Sequence, residues 1–310
     1  MSQVSEKGST LVERFLGNRL NPKTRATYTS TLRTFFSSMP RVMDNDNPSL
    51  EEMADRYFAA TRDYGQDLVV SVRQLTEAHT PAWTVIRCRR VVQTLFLDSG
   101  IPIDPLVLRE LKRVTPPART LTVNSIPTPQ QLGLIISFMD AESQAFYLTM
   151  KSSGGRMEEV YALTGDCFSP DLTSISFKAG TTKGGRGRFS FIDPEAAAAL
   201  KRWGVDRKYM WTLQRWQLSN VWIRALAIAA RVSPGLDAKD DNTGRYLLTP
   251  HSLRKYFRSR IRKPGGLDHD IAEALIGHST KMDEIYALYT PEQLYEDYSK
   301  AMFALACLPS

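Results

Sequence analysis

The chain has 310 residues, 42% of them hydrophobic and 24% charged, an ordinary globular composition with enough apolar side chains for one large core or two smaller ones. Its formal net charge of +7 favours an anionic partner. Cys88, Cys167 and Cys307 are far apart and odd in number, which excludes a disulfide framework and a CxxC zinc knuckle. The opening MSQVSEKGSTLVERF lacks the apolar core of a signal peptide, and no apolar run approaches the ~18 residues of a membrane span. A soluble, intracellular protein with reduced thiols and no membrane partner is expected.

A short helix is predicted over Leu11 to Leu16. The next begins at Asn21-Pro22, with Asn21 as N-cap and Pro22 at the first helical position. It places Tyr28, Leu32, Phe35 and Phe36 on one face and leaves Lys23, Arg25 and Arg33 for the other. Ser49 and Glu52 have the spacing of a capping box for a third helix. A later helix near Thr80-Pro81 has Trp83, Ile86, Val91 and Leu95 as apolar positions and carries the cluster Arg87, Arg89 and Arg90. Such a cluster is either a solvated helix face or a contact to a phosphate backbone.

The stretch RVTPPARTLTVNSIPTPQQ is rich in proline and poor in large apolar residues, the mark of a linker. It divides the chain into a helical region over 1–114, a linker over 115–126 and a second domain over 127–310. Helices are predicted after Thr128-Pro129, over AESQAFYLTMKSSG and over RMEEVYALTG. In DLTSISFKAGTTKGGRGRFSFI, alternating Ile175, Phe177, Phe189 and Phe191 flank a glycine-rich centre, which predicts a small antiparallel hairpin with Lys183 at its tip. Helices follow after Asp193-Pro194, over WTLQRWQLSNVWIRALAIAARV and over TPEQLYEDYSKAM. The expected fold is mainly α with one small antiparallel β-sheet in the C-terminal domain.

Three of the four histidines fall within PHSLRKYFRSRIRKPGGLDHDIAEALIGHSTKMDEIY. His251 and Arg254 share a helix face at i, i+3. His278 follows an apolar helical run that Gly277 is expected to stop. Tyr286 comes eight residues later. Imidazoles, guanidinium and phenol together suit a phosphate diester, offering donors for its oxygens, a proton donor and a hydroxyl nucleophile. Arg156 opens a helix directly after two glycines, which would turn backbone amides and a guanidinium towards an anion. Asp268-His269-Asp270 offers a competing metal reading; a helix cap by Asp268 with Asp270 in the first turn is preferred, since no H-x-x-x-H spacing occurs.

The order Arg156, Lys183, His251-x-x-Arg254, Gly277-His278, Tyr286 resembles the tyrosine recombinase (phage integrase) family. SSGGRMEEVYAL, TKGGRGRFSFI and PHSLRKYF carry the resemblance from roughly residue 125 onwards, and KTRATYTSTLRTFF with the later basic helix carries a weaker one over 10–110. The resemblance implies a helical core-binding domain that contacts double-stranded DNA, Lys23, Arg25, Arg87, Arg89 and Arg90 being the DNA-binding candidates, and a catalytic domain. It also implies that Arg156 and Arg254 clamp the scissile phosphate, that His278 adds a hydrogen bond, and that Lys183 is the general acid. His251 would assist proton transfer, and Tyr286 would form a 3′-phosphotyrosyl bond, with no ATP, metal or other cofactor. Glu159 matches a supporting position of the family or is an ordinary surface glutamate.

Tyr286 is the preferred nucleophile. The spacing from His278 is one residue shorter than in the commonest bacterial pattern, so Tyr289 stays open. Recombination through a Holliday junction would need four protomers, the stripe Leu294, Tyr298, Ala301 and Met302 packing either on a neighbour or on its own domain. The expected location is cytoplasmic and nucleoid-associated, or inside a host cell if the protein is virally encoded. The alternatives are a non-catalytic DNA-binding protein on the same fold, a type IB topoisomerase or resolvase sharing the chemistry, and a metal-dependent nuclease.

Overall fold

The computed structural model describes residues 7–19, 21–40, 42, 47–117, 125–182, 185–205, 210–241, 243–263, 265–278 and 282–308. The chain divides into two compact units, Met1–Thr120 and Leu121–Ser310. Most of the expected linker, 118–124, lies outside the described residues.

The first unit is helical: α1 (Gly8–Gly17), α2 (Pro22–Ser37), α3 (Leu50–Ala59), α4 (Tyr64–Glu77), α5 (Ala82–Asp98) and α6 (Pro105–Val114). Its helix starts follow from side chains that take up otherwise orphaned amides. Asn21 accepts from the amides of Lys23 and Thr24, and Ser49 and Glu52 close a reciprocal capping box. The core is an aromatic cluster. Phe35, Phe36, Tyr57 and Phe96 are fully buried, and Phe35 meets Tyr57 and Phe96 edge-on at 5.4 and 5.9 Å. Such pairs add about 0.5–1.5 kcal/mol each beyond their area. On α5, Ile86, Val91 and Leu95 are buried as expected, whereas Trp83 is 53% exposed. Trp83 sits in the first turn after Pro81, before the helix has come down onto the core.

The second unit contains α7 (Pro129–Ser137), α8 (Ala141–Ser153) and α9 (Met157–Tyr161), then β1 (Ser174–Phe177) and β2 (Arg188–Phe191). It continues with α10 (Pro194–Trp203), α11 (Arg215–Val232), α12 (His251–Arg260), α13 (His269–Leu275), α14 (Met282–Leu288) and α15 (Pro291–Ala301). The strands pair antiparallel, Phe177 opposite Arg188 and Ile175 opposite Ser190. Every residue of β2 except the half-buried Phe189 is buried, so the strand is covered on both faces. Buried α8 is the spine of the unit: Tyr147 gives its hydroxyl to the Leu218 carbonyl at 2.6 Å, and Ser190 donates to the Ser153 carbonyl at 3.0 Å.

The stripe on α15 packs within its own unit. Leu294 and Tyr298 are fully buried, and Tyr298 donates to the Ser152 carbonyl at 3.1 Å. Tyr295 and Tyr298 both lie against Phe191, which identifies them as packing tyrosines. The tail beyond α15 is tied down as well: the amides of Cys307 and Leu308 donate to Glu195 Oε1 at 2.9 and 2.7 Å. Among the described residues, no helix is long and apolar enough to cross a membrane.

Candidate active site

The site is built around the end of α8. Gly154 closes that helix with φ of 62°, in the left-handed region, and Gly155 leads directly into Arg156. The turn is tight because side chains crowd it. A Cβ on Gly154 would lie 2.6 Å from Ile276 Cγ2 and 2.8 Å from Phe257 Cδ1. Gly154→Ala therefore combines left-handed strain of ~1–2 kcal/mol with overpacking of ~1–3 kcal/mol. The expected result is a loss of about 2–5 kcal/mol in a urea melt; a melt matching the parent would show that the turn relaxes freely.

Arg156 is the N-cap of α9 rather than an open anion cradle. Its amide donates to Glu159 Oε2 at 2.9 Å and its guanidinium to Glu159 Oε1 at 2.7 Å, so the side chain of its own helix already occupies the amide that the double glycine was expected to offer. Glu159 is 1% exposed, which overturns its reading as a surface glutamate. Burial by itself would raise its carboxyl, but Arg188 and Arg156 together hold it below the ordinary carboxylate range. The Arg156 side chain remains 31% exposed and is thus reachable from solvent.

Arg254 comes from the first turn of α12 and is 5% exposed. Nη1 donates to the Gly154 carbonyl at 2.7 Å, which fixes the guanidinium two residues from Arg156, while Nη2 is buried without a hydrogen-bond partner among the described residues. Burial first, then Arg156 and Arg188, push its pKa down to about 9. It still carries its charge at neutral pH, but in surroundings that an arriving anion would improve. His251, one turn earlier on the same helix, is lowered by burial and then by Arg254, Lys255 and Arg156. Its imidazole is therefore biased towards the neutral form that accepts a proton.

His278 follows Gly277, whose φ of 77° ends α13 as expected. Nδ1 lies 2.5 Å from Glu273 Oε2, leaving Nε2 for a ligand. Glu273 is itself held by Arg258 Nε at 2.5 Å. Tyr286, on α14, stacks on Phe189 with centroids 4.5 Å apart, and its hydroxyl donates to the Phe189 carbonyl at 3.3 Å. Burial raises its phenol to about 12 against the opposing field of Arg188. Tyr289, three residues on, is 37% exposed.

The structure thus brings Arg156, His251, Arg254, His278 and Tyr286 to one region of the second unit, linked through Glu159, Glu273 and Arg188. Lys183 lies outside the described residues. Arg188 and Glu273 have no counterpart among the sequence expectations. The available signals were slight: an arginine opening an apolar strand, and a glutamate five residues before a histidine. Asp268 accepts from the Asp270 amide at 2.8 Å, the expected cap, and no cluster of three or more metal-ligating side chains occurs among the described residues. In the first unit Lys23, Arg25, Arg87 and Arg90 are exposed. Arg89 is half-buried and donates to Thr115 Oγ1 at 3.4 Å, so part of its role is to hold the end of α6.

No protein-family model matches the chain, and no curated protein matches it in sequence. Solved structures do match in fold. A lambda integrase tetramer bound to a Holliday junction superposes with a TM-score of 0.66 at 13% identity, over 91% of this chain and 80% of that one. The Tn1549 transposon integrase in complex with circular intermediate DNA gives 0.65 at 14% identity, over 93% and 97% of the two chains. A lambda integrase dimer bound to a COC′ core site gives 0.63 at 13% identity, over 89% and 96%. At such identity the likeness is one of fold, and it agrees with the motif order read from residue 156 to residue 286: the chain has the fold of the tyrosine recombinases.

Proposed function

We propose that the protein is a site-specific DNA recombinase that cuts and rejoins strands through a 3′-phosphotyrosyl intermediate. The observation that carries this reading is the gathering of two arginines, two histidines and a tyrosine around the Gly154-Gly155 turn, in a fold shared with integrases solved on DNA. Arg156 and Arg254 would hold the non-bridging oxygens of the scissile phosphate, and the orphaned Nη2 of Arg254 has no other use among the described residues. His278, its Nδ1 engaged by Glu273, would donate from Nε2.

The phenol oxygen of Tyr286 attacks phosphorus and its proton passes towards His251. The P–O5′ bond breaks, and Lys183 protonates the departing 5′ oxygen. Attack by a 5′-hydroxyl reverses the step. The bond energy stays in the protein–DNA link, so the cycle calls for neither ATP nor metal. Exposed Lys23, Arg25, Arg87 and Arg90, with Arg89, would meet the duplex backbone as phosphate contacts that position without reading sequence. Exchange between two duplexes would need four protomers.

Incubating the full chain with a pool of nicked duplexes of randomised sequence, quenching in detergent and mapping the trapped peptide by mass spectrometry tests the reading. The expected product is a 3′-phosphoryl adduct on Tyr286 with a free 5′-hydroxyl, formed equally in excess chelator. An adduct on Tyr289 would overturn the nucleophile, and no adduct with any duplex would overturn the enzyme class.

A further inference from the structure

One charge in the site has no part in the scheme above. Arg188, at the start of β2, is 5% exposed. Its Nη2 donates to Glu159 Oε2 at 2.6 Å, and its guanidinium carbon lies 3.9 Å from the ring centroid of Phe177, its cross-strand partner. Among the described residues, Nε and Nη1 have no hydrogen-bond partner. On the remaining side Gly277 passes so close that a Cβ there would lie 2.6 Å from Nε. A buried arginine kept for stability ordinarily has its donors satisfied. This one shares a single carboxylate with Arg156 and leaves two of its three nitrogens unanswered among the described residues.

The residue after Arg188, Phe189, is the seat of Tyr286: its ring stacks on the phenol ring and its carbonyl accepts the hydroxyl. We infer that Arg188 is a positioning residue of the proposed strand-cleavage site, and the inference rests on that reading for its catalytic meaning. Clamped between Glu159 and Phe177, its guanidinium provides the fixed positive charge beside the Tyr286 phenol and couples that charge to Arg156 through the shared carboxylate.

Among the described residues, the other charges near the phenol are already committed. On its own helix, Asp283 pairs with Arg186 of the hairpin at 2.7 Å, and Glu284 is exposed. On α13, Glu273 is engaged by Arg258 and His278. On α12, Arg254 is turned to the Gly154 carbonyl, with His251 one turn away. On α9, Glu159 is divided between Arg156 and Arg188. Among the described residues, the field of Arg188 is the one that reaches the phenol and opposes the effect of its burial.

The test uses the whole protein without DNA. Tyr286 is replaced by a tyrosine fluorinated at both ring positions beside the hydroxyl, whose phenol ionises near neutrality, and its titration is followed by 19F NMR. Arg188→Gln is expected to raise the apparent pKa by about 1, the effect of removing one close opposite charge. Arg188→Lys should stay near the parent value. Glu159→Gln should move it the other way, because the guanidinium is then no longer neutralised. Unfolding would release the phenol from burial and lower its pKa, so a rise in Arg188→Gln cannot come from loss of structure. If Arg188→Gln does not fold, the Glu159→Gln titration decides.

An unchanged or lower value in a folded Arg188→Gln protein, or an unchanged or higher one in Glu159→Gln, would overturn the inference. Failure of the strand-cleavage reading looks different, since the parent protein would then form no adduct with any duplex while this titration keeps its own outcome. Where adducts do form, the rate–pH profile of Arg188→Gln should shift to higher pH by the same amount, and that of Arg188→Lys should not.

Discussion

Arg254→Met is expected to slow adduct formation by about 10²–10³, the usual effect of removing one preorganised donor to a developing oxyanion, while leaving duplex affinity within a few-fold. The same change should hardly disturb the fold. The Gly154 carbonyl loses its donor, which costs about 1–3 kcal/mol. Against this, a buried charge opposed by Arg156 and Arg188 disappears, a relief of similar or larger size. A single-turnover assay paired with a thermal melt checks both halves. A fall in Tm of more than about 10 °C would identify Arg254 as structural and remove it from the phosphate clamp.

The pH dependence has a definite sign. The folded pKa of Arg254, about 9, lies below its unfolded value, so the unfolded state binds the proton more tightly. The penalty is complete at neutral pH. It is relieved only as pH rises through about 9 towards the ordinary arginine range, and a melt series across that window should show the parent gaining on Arg254→Met.

The second large effect is one of stability. Lys151, on α8, is fully buried between Asp193 at 2.8 Å and Glu195. Glu195 also receives the amides of Cys307 and Leu308. Lys151→Ala would strand two carboxylates in the interior, and breaking a buried pair from one side costs about 3–5 kcal/mol. For a unit of this size that corresponds to a fall in Tm of roughly 10 °C. Lys151→Met combined with Glu195→Gln removes charge from both sides and should recover part of it.

Burial by itself would raise the Glu195 carboxyl, but Lys151 and the tail amides bring it below its usual value, so its contribution is present above the unfolded pKa and fades as pH falls through the folded one. Burial also works against the charge of Lys151, yet Asp193, Cys307 and Glu195 prevail and raise its pKa. Its contribution is complete below the unfolded lysine value and is lost only as pH rises beyond it. The cost of Lys151→Ala should therefore be constant through the neutral range and shrink in acid; a cost that vanishes at neutral pH would mean that the cluster does not carry the charge assigned to it.

Local rules sufficed where a few adjacent residues decide the outcome. Asn21, Ser49, Thr128, Asp193 and Thr290 each cap the helix that their spacing announced, because the bonds involved span two or three residues. The alternation of Ile175, Phe177, Phe189 and Phe191 announced the hairpin, and Gly277 the end of α13. Other outcomes depend on what lies opposite in space. Trp83 has helical periodicity yet faces solvent, and the α15 stripe that would have suited a neighbour is covered by Ser152 and Phe191 of its own unit.

The sequence by itself determined the set of chemical groups and their order, from Arg156 through His251 and Arg254 to His278 and Tyr286, since residue type and spacing are local properties. Tertiary structure alone decided which partners hold them. Arg254 bonds Gly154 across 100 residues of chain, Arg188 shares Glu159 with Arg156 across 29, and Tyr286 rests on Phe189 across 97. No periodicity records such contacts. Their strength comes from burial, which turns an ordinary arginine or glutamate into a charge that must find its partner.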